Sequence, residues 1–128
     1  MNLAHATVGQ MLIPVSDFEQ GMAWYRDVLG IPFLFSAPPQ MAFFDCGGVR
    51  LLVGVEPEGE QPQRGSTIHF RVSDIGAVHA TLGAAGVRFG AAPHLVHRAP
   101  TYELWLAEFT DPDGNRLALM SDVATAPA

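Results

Sequence analysis

The chain has 128 residues, 48% of them hydrophobic and 16% charged, which suits one globular domain with a proper core and excludes a disordered chain. Seven Lys plus Arg and a formal charge of −6 argue against a nucleic-acid or anionic-membrane surface. No apolar run reaches the roughly 18 residues of a membrane span, Met1-Asn2-Leu3-Ala4-His5 has no signal-peptide character, and the lone Cys46 cannot form an internal disulfide, so the expected compartment is the cytoplasm.

Alternating apolar residues predict a first strand over 8–14. Asp17 then caps a helix, with Gln20 placed to complete a capping box. Phe18, Met22, Tyr25, Val28 and Leu29 form its apolar stripe, Gly30 ends it, and Pro32 prevents its continuation. Three β-rich pieces follow over 33–36, 41–46 and 49–55, separated by Pro38-Pro39 and Gly47-Gly48. The polar stretch 56–65 reads as a linker. A second strand–helix unit then begins at 66–72, with Ser73 or Asp74 as the cap and Gly86 as the stop. Strands are expected over 87–89, 102–110 and 116–121. Asp111-Pro112-Asp113-Gly114 has the signature of a type I turn between the last two. The stretch 91–102 reads as irregular, and 122–128 as a frayed tail.

The two halves repeat one another. Val15-Ser16-Asp17-Phe18 recurs as Val72-Ser73-Asp74-Ile75, and Gly48-Val49-Arg50-Leu51-Leu52 is echoed by Gly114-Asn115-Arg116-Leu117-Ala118-Leu119. The fold class expected is therefore α+β. It comprises two βαβββ modules, one about 6–55 and the other about 66–121, forming a curved, cup-like mixed sheet within a single domain over 1–128.

Val15-Ser16-Asp17 followed by Trp24-Tyr25-Arg26-Asp27-Val28-Leu29-Gly30 resembles the V-x-D … F-Y-x-x-V-L-G pattern of the vicinal oxygen chelate superfamily. That group includes glyoxalase I, bleomycin-resistance proteins and extradiol dioxygenases. Phe70-Arg71-Val72-Ser73-Asp74 and Asp111-Pro112-Asp113-Gly114-Asn115 extend the likeness through the second half. The resemblance implies the fold, but the superfamily hosts many chemistries on one frame. It also implies four metal-ligand positions, which fall here on Gln10, Leu52 (Leu51 if the register slips by one), Thr67 and Ala118. Some glyoxalase I members use Gln at the first position. Leu, Thr and Ala supply no donor that would hold such an ion, so neither metal nor other cofactor is expected.

Other polar residues admit two readings each. Gln10 is either a ligand-contacting amide on the cup floor or a buried amide satisfied by backbone. His69 is placed by alternation on the Thr67 face, about 6.5 Å along the strand, and is the acid–base candidate; the alternative is a packed core histidine. Glu108 interrupts an apolar run and is a weaker catalytic candidate. His94, His97 and Arg98 suit a loop surface, and Glu103 a solvated strand start. Arg50 and Arg116 occupy equivalent positions and either anchor an anionic group or lie at the sheet edge. Trp105 is a candidate aromatic wall. Half of Phe33, Phe35, Met41, Phe43, Phe44, Trp105 and Phe109 should form core, and the other half an apolar pocket.

No G-x-S-x-G, phosphate loop or partnered nucleophilic cysteine is present. The leading expectation is a metal-independent protein that binds or sequesters an apolar or aromatic small molecule, as bleomycin-resistance proteins do. Ligand contacts are expected from Gln10, Leu52, Thr67, His69, Trp105 and Ala118. The alternative is a glyoxalase-type lyase, isomerase or epimerase with a rebuilt metal site or with His69 in metal-free acid–base catalysis. A homodimer is expected, with no nucleic-acid or membrane partner.

Overall fold

The computed structural model describes residues 2–55 and 66–125, so the expected linker lies outside the described residues. The chain divides into two compact units, 1–63 and 64–128. Both are open mixed sheets with a short helix on one face, an α+β plan.

The first unit runs β1 (Gln10–Pro14), α1 (Phe18–Ala23), β2 (Phe33–Ala37), β3 (Met41–Cys46) and β4 (Val49–Gly54), in the sheet order β1-β4-β3-β2. The Asp17 carboxylate accepts from the Gln20 N–H at 2.9 Å, satisfying one of the open donors of the first helical turn. The helix continues as a π-helical turn over Trp24–Val28 and stops at Gly30, whose φ of 72° closes it. Strands β3 and β4 meet through Gly47-Gly48, both at positive φ, as a two-residue hairpin of this twist requires. Strand β1 is parallel to β4, pairing Gln10 with Arg50 and Leu12 with Leu52.

Alternation along these strands sorts the side chains. Ile13, Ala42, Phe44, Leu51 and Val53 are buried on the helix side, where the Tyr25 ring stands 6.3 Å from Phe44. Gly21 is the point of closest approach: a Cβ there would lie 2.9–3.0 Å from three atoms of the Val15 side chain. The backbone of α1 thus comes down on the end of β1 because the helix carries no side chain at that position.

The second unit comprises β5 (Ile68–Arg71), α2 (Ile75–Ala84), β6 (Arg88–Phe89), β7 (His94–Arg98), β8 (Tyr102–Thr110) and β9 (Arg116–Ala124). The sheet order is β5-β9-β8-β6, and β7 also pairs with β8. The repeat holds at the level of register. Asp74 caps α2 through Ala77 N–H at 3.0 Å, and the parallel pair Met11–Leu51 and Leu12–Leu52 is matched by Ile68–Leu117 and His69–Ala118. Leu117, Leu119, Ala107 and Phe109 are buried, and His79 of α2 packs its ring 4.3 Å from Phe89, which in turn meets Phe109. Ser121 is buried with them, its hydroxyl donating to the Val72 carbonyl at 2.8 Å.

Two segments depart from expectation. The stretch expected to be irregular contains β7, held by antiparallel pairing to β8. The expected tail begins too early, because Asp122–Ala124 continue β9 opposite Tyr102, Glu103 and Leu104. The Asp111–Gly114 turn forms as read: Gly114 N–H reaches the Asp111 carbonyl at 3.0 Å, and the buried Asp111 carboxylate accepts from Asp113 N–H, Asn115 N–H and the Asn115 amide. Among the described residues, no helix is long and apolar enough to cross a membrane.

Candidate functional site

Each sheet has one face without a helix, and the site candidates fall mainly there. In the first unit, two neighbouring rows cross that face. One row is Gln10, Arg50 and Asp45; the other is Leu12, Leu52, Phe43 and Phe35. Leu52 lies on it, whereas Leu51 is only 1% exposed on the helix side.

Phe35 reaches this face through an irregularity. Simple alternation would put Phe33 and Phe35 on the same side of β2. The register instead shifts between them, so that Phe33 pairs with Phe44 and Phe35 with Phe43. Such a bulge re-aims the following side chain. Phe33 consequently meets Phe44 edge-on at 5.5 Å on the core side, while Phe35 stacks on Phe43 at 4.6 Å on the open side.

Gln10 is an exposed side chain whose Oε1 accepts from Arg50 Nε at 2.8 Å, so the reading of a buried amide satisfied by backbone does not hold. The Arg50 guanidinium carbon lies 5.3 Å from the Phe43 ring centre, a cation–π distance. Asp45 faces Arg50 across the strand pair, but its carboxylate accepts from Gly48 N–H at 3.0 Å, within its own hairpin.

In the second unit, His69, Ala118 and Glu108 form one row on the helix-free face. His94 sits opposite Leu106 in the next row, and its Nε2 is 3.6 Å from Glu108 Oε1. A register shift between Leu95 and His97 also turns His97 to this side, opposite Leu104. Three histidines thus share a face with Glu108. His69 is exposed there, on the side opposite α2. Thr67 is half-buried and immediately precedes β5.

Trp105 stands three residues from Glu108 along a regular strand and is therefore turned to the other face, with Ala107 and Phe109. Its indole N–H is 3.4 Å from Glu103, which also pairs with Arg98 at 2.9 Å. Glu103 is thus held by two neighbours rather than freely solvated, and Arg98 belongs to the Trp105 side. Arg116, exposed and two residues before Ala118, shares the histidine face.

The four positions that the sequence resemblance assigns to a metal do not fit one. In the first unit, the Gln10 carbonyl oxygen already faces a guanidinium, and Leu52 carries no donor. In the second, Ala118 is a fully buried methyl, and Thr67 offers a lone hydroxyl. Among the described residues, no group of three His, Cys, Asp or Glu side chains is arranged to hold an ion. At Cys46 burial, reinforced by the charge of Asp45, pushes the thiol above its usual range and so disfavours the thiolate.

Comparison with known proteins agrees with the fold. Residues 3–119 match the family model of the Glyoxalase/Bleomycin resistance protein/Dioxygenase superfamily, and the chain belongs to that family. It is 27% identical over 124 residues to a protein of Bacillus subtilis (strain 168) described as "Uncharacterized protein YraH", covering 86% of this chain and 94% of that one. A member of the superfamily from Sphaerobacter thermophilus superposes with a TM-score of 0.75 at 25% identity, over 91% of this chain and 97% of that chain. A lactoylglutathione lyase from Agrobacterium tumefaciens superposes with a TM-score of 0.71 at 19% identity, over 91% and 93% of the respective chains. At that identity the likeness speaks for the fold alone.

Proposed function

We propose that this family member binds an apolar or aromatic small molecule on the helix-free face of its first unit, without a metal, in a binding or sequestering role of the bleomycin-resistance kind. The observation that carries this reading is the row Leu12, Leu52, Phe43, Phe35. Its two ends, Leu12 at 48% and Phe35 at 46%, are exposed, while Leu52 is half-buried and Phe43, stacked on Phe35, is 9% exposed. Large apolar side chains gathered on one face favour a ligand that removes them from water, at about 25 cal/mol per Å² covered. Lack of carboxylate and imidazole donors at Gln10, Leu52 and Ala118 supports a metal-free mode. A thermal-shift screen of planar and aliphatic compounds tests it, since a ligand bound to the native state alone raises the melting temperature. Hits should be lost in Phe35→Ala. A screen whose hits are indifferent to Phe35 and Leu12 refutes the placement, and stoichiometric metal in untagged protein refutes the metal-free mode.

A second reading, metal-free acid–base catalysis on the second unit, is favoured by the approach of His94 to Glu108 on the face that carries His69. It expects His69→Ala to lower turnover by about 10²–10⁴-fold with the fold intact. Homodimerisation is proposed on the exposed apolar edge of β2, where Leu34 is 49% exposed; scattering that gives a 13.7 kDa particle at micromolar concentration refutes it. The absence of an internal disulfide partner for Cys46 supports a cytoplasmic setting, testable by fractionation.

A further inference from the structure

We infer that the ligand of the first unit is an aromatic carboxylate, its ring laid on the Leu12–Leu52–Phe43–Phe35 row and its carboxylate held by Arg50. The inference rests on the apolar-ligand reading above and gives it a charge and a direction. Arg50 is exposed, and among the described residues no carboxylate pairs with it. Its natural partner, Asp45, is directly opposite on β3 but is turned into the Gly47-Gly48 hairpin to accept from Gly48 N–H. Among the described residues the cation is therefore not engaged in an ion pair, and it stands beside the apolar row of the face.

It is also held in position. Among the described residues its one side-chain hydrogen bond runs from Nε, 2.8 Å to Gln10 Oε1, and the guanidinium lies over the Phe43 ring at 5.3 Å. That arrangement leaves both Nη groups, the pair of donors that matches the two oxygens of a carboxylate. Fixing the fork beforehand removes much of the side-chain entropy that an exposed arginine would otherwise lose on binding. The Gln10 amide N–H₂ stands beside it as a further donor.

The spacing suits an aryl acid. The Gln10–Arg50 row and the Leu12–Leu52 row lie two residues apart along paired strands, about 6.5 Å. A ring over the second row thus carries a directly attached carboxylate toward the first. Phe35 and Phe43, stacked at 4.6 Å, come from β2 and β3, and Arg50 comes from β4, the other neighbour of β3. Aromatic surface and cation are consequently offered side by side on one sheet.

Isothermal titration calorimetry with benzoate, 2-naphthoate and indole-3-carboxylate, each against its neutral carboxamide, tests the inference. At least one acid should bind about tenfold or more tightly than its amide, the advantage of a charge-assisted pair. Arg50→Leu should abolish that preference while leaving amide binding intact, and Gln10→Leu should reduce it. Phe35→Ala should weaken acid and amide alike. Equal binding of acids and amides, or a preference that survives in Arg50→Leu, overturns the carboxylate assignment and leaves the apolar reading standing. No binding of either series at millimolar concentration overturns both. Circular dichroism of each variant confirms folding, and Arg50→Lys, which keeps the charge without the fork, should retain only part of the preference.

Discussion

Replacing glycine by alanine inside a helix ordinarily gains about 1 kcal/mol, and this protein should show that gain in one helix and its reversal in the other. At Gly83 of α2 an added Cβ meets nothing within 4 Å, so Gly83→Ala should stabilise by about 0.5–1 kcal/mol. At Gly21 of α1 the same Cβ would lie 2.9 Å from Val15 Cγ1 and 3.0 Å from both Cβ and Cγ2. Rotating χ1 of Val15 does not relieve this, because Val15 Cβ itself is among the atoms met and does not move with χ1. Nor can the side chain swing into solvent, since Val15 is 5% exposed and β-branched. Overpacking of this kind costs about 1–3 kcal/mol, which exceeds the propensity gain, so Gly21→Ala should destabilise by about 1–2 kcal/mol net. Val15→Ala removes two of the three opposing atoms. The double variant should therefore be more stable than the sum of the single changes by about 1 kcal/mol. Urea unfolding followed by circular dichroism measures all four variants. A stabilising Gly21→Ala, or a double variant that is merely additive, would refute the packing argument at the V-x-D corner.

Other perturbations bear on the turn, the buried hydroxyl and the thiol. Asp111→Ala removes three carboxylate hydrogen bonds from a buried site and should cost about 2–4 kcal/mol in denaturant unfolding, with Asp111→Asn recovering part of the loss. Ser121→Ala leaves the Val72 carbonyl without its 2.8 Å donor and should cost about 1–2 kcal/mol. The Cys46 thiol, held above its ordinary range chiefly by burial, should alkylate slowly near neutral pH. Because the native state retains that proton to higher pH than the unfolded chain does, Cys46 should make stability fall as pH rises above the unfolded thiol's value. Cys46→Ser should flatten that part of the profile measured by urea unfolding.

What the sequence disclosed and what it hid divide along a physical line. Both caps and the Asp111–Gly114 turn are local, made by bonds to backbone groups a few residues away, and the repeat and the glycine stops are read directly from the order of residues. Strand β7 and the end of β9 could not be read this way. Residues 94–98 are all exposed and lie between Pro93 and Pro100, so they carry no alternation, and their order comes from pairing with β8. The same limit governs the site. Alternation places His69 two residues beyond Thr67, and register adds Ala118 and Glu108 beside it. Alternation also forbids Trp105 and Glu108 from sharing a face, a signal already present in their odd separation.

Alternation fails where the register slips, and that failure shapes both open faces. Without the shift after Phe33, Phe35 would follow Phe33 to the core side, and Phe43 would lose its stacking partner. Without the shift after Leu95, His97 would stand opposite to His94 rather than beside it. In each unit one inserted residue, Leu34 or Val96, converts a pattern that reads as ordinary half-buried strand into a cluster on the helix-free side. Of the ligand positions suggested by family resemblance, Leu52 and Ala118 carry no donor side chain. Charged side chains stand beside them: Arg50 is two residues before Leu52, and Glu108 is paired directly with Ala118. The frame of the family is therefore kept by local caps and turns, while bulges and register bring different side chains onto its open faces.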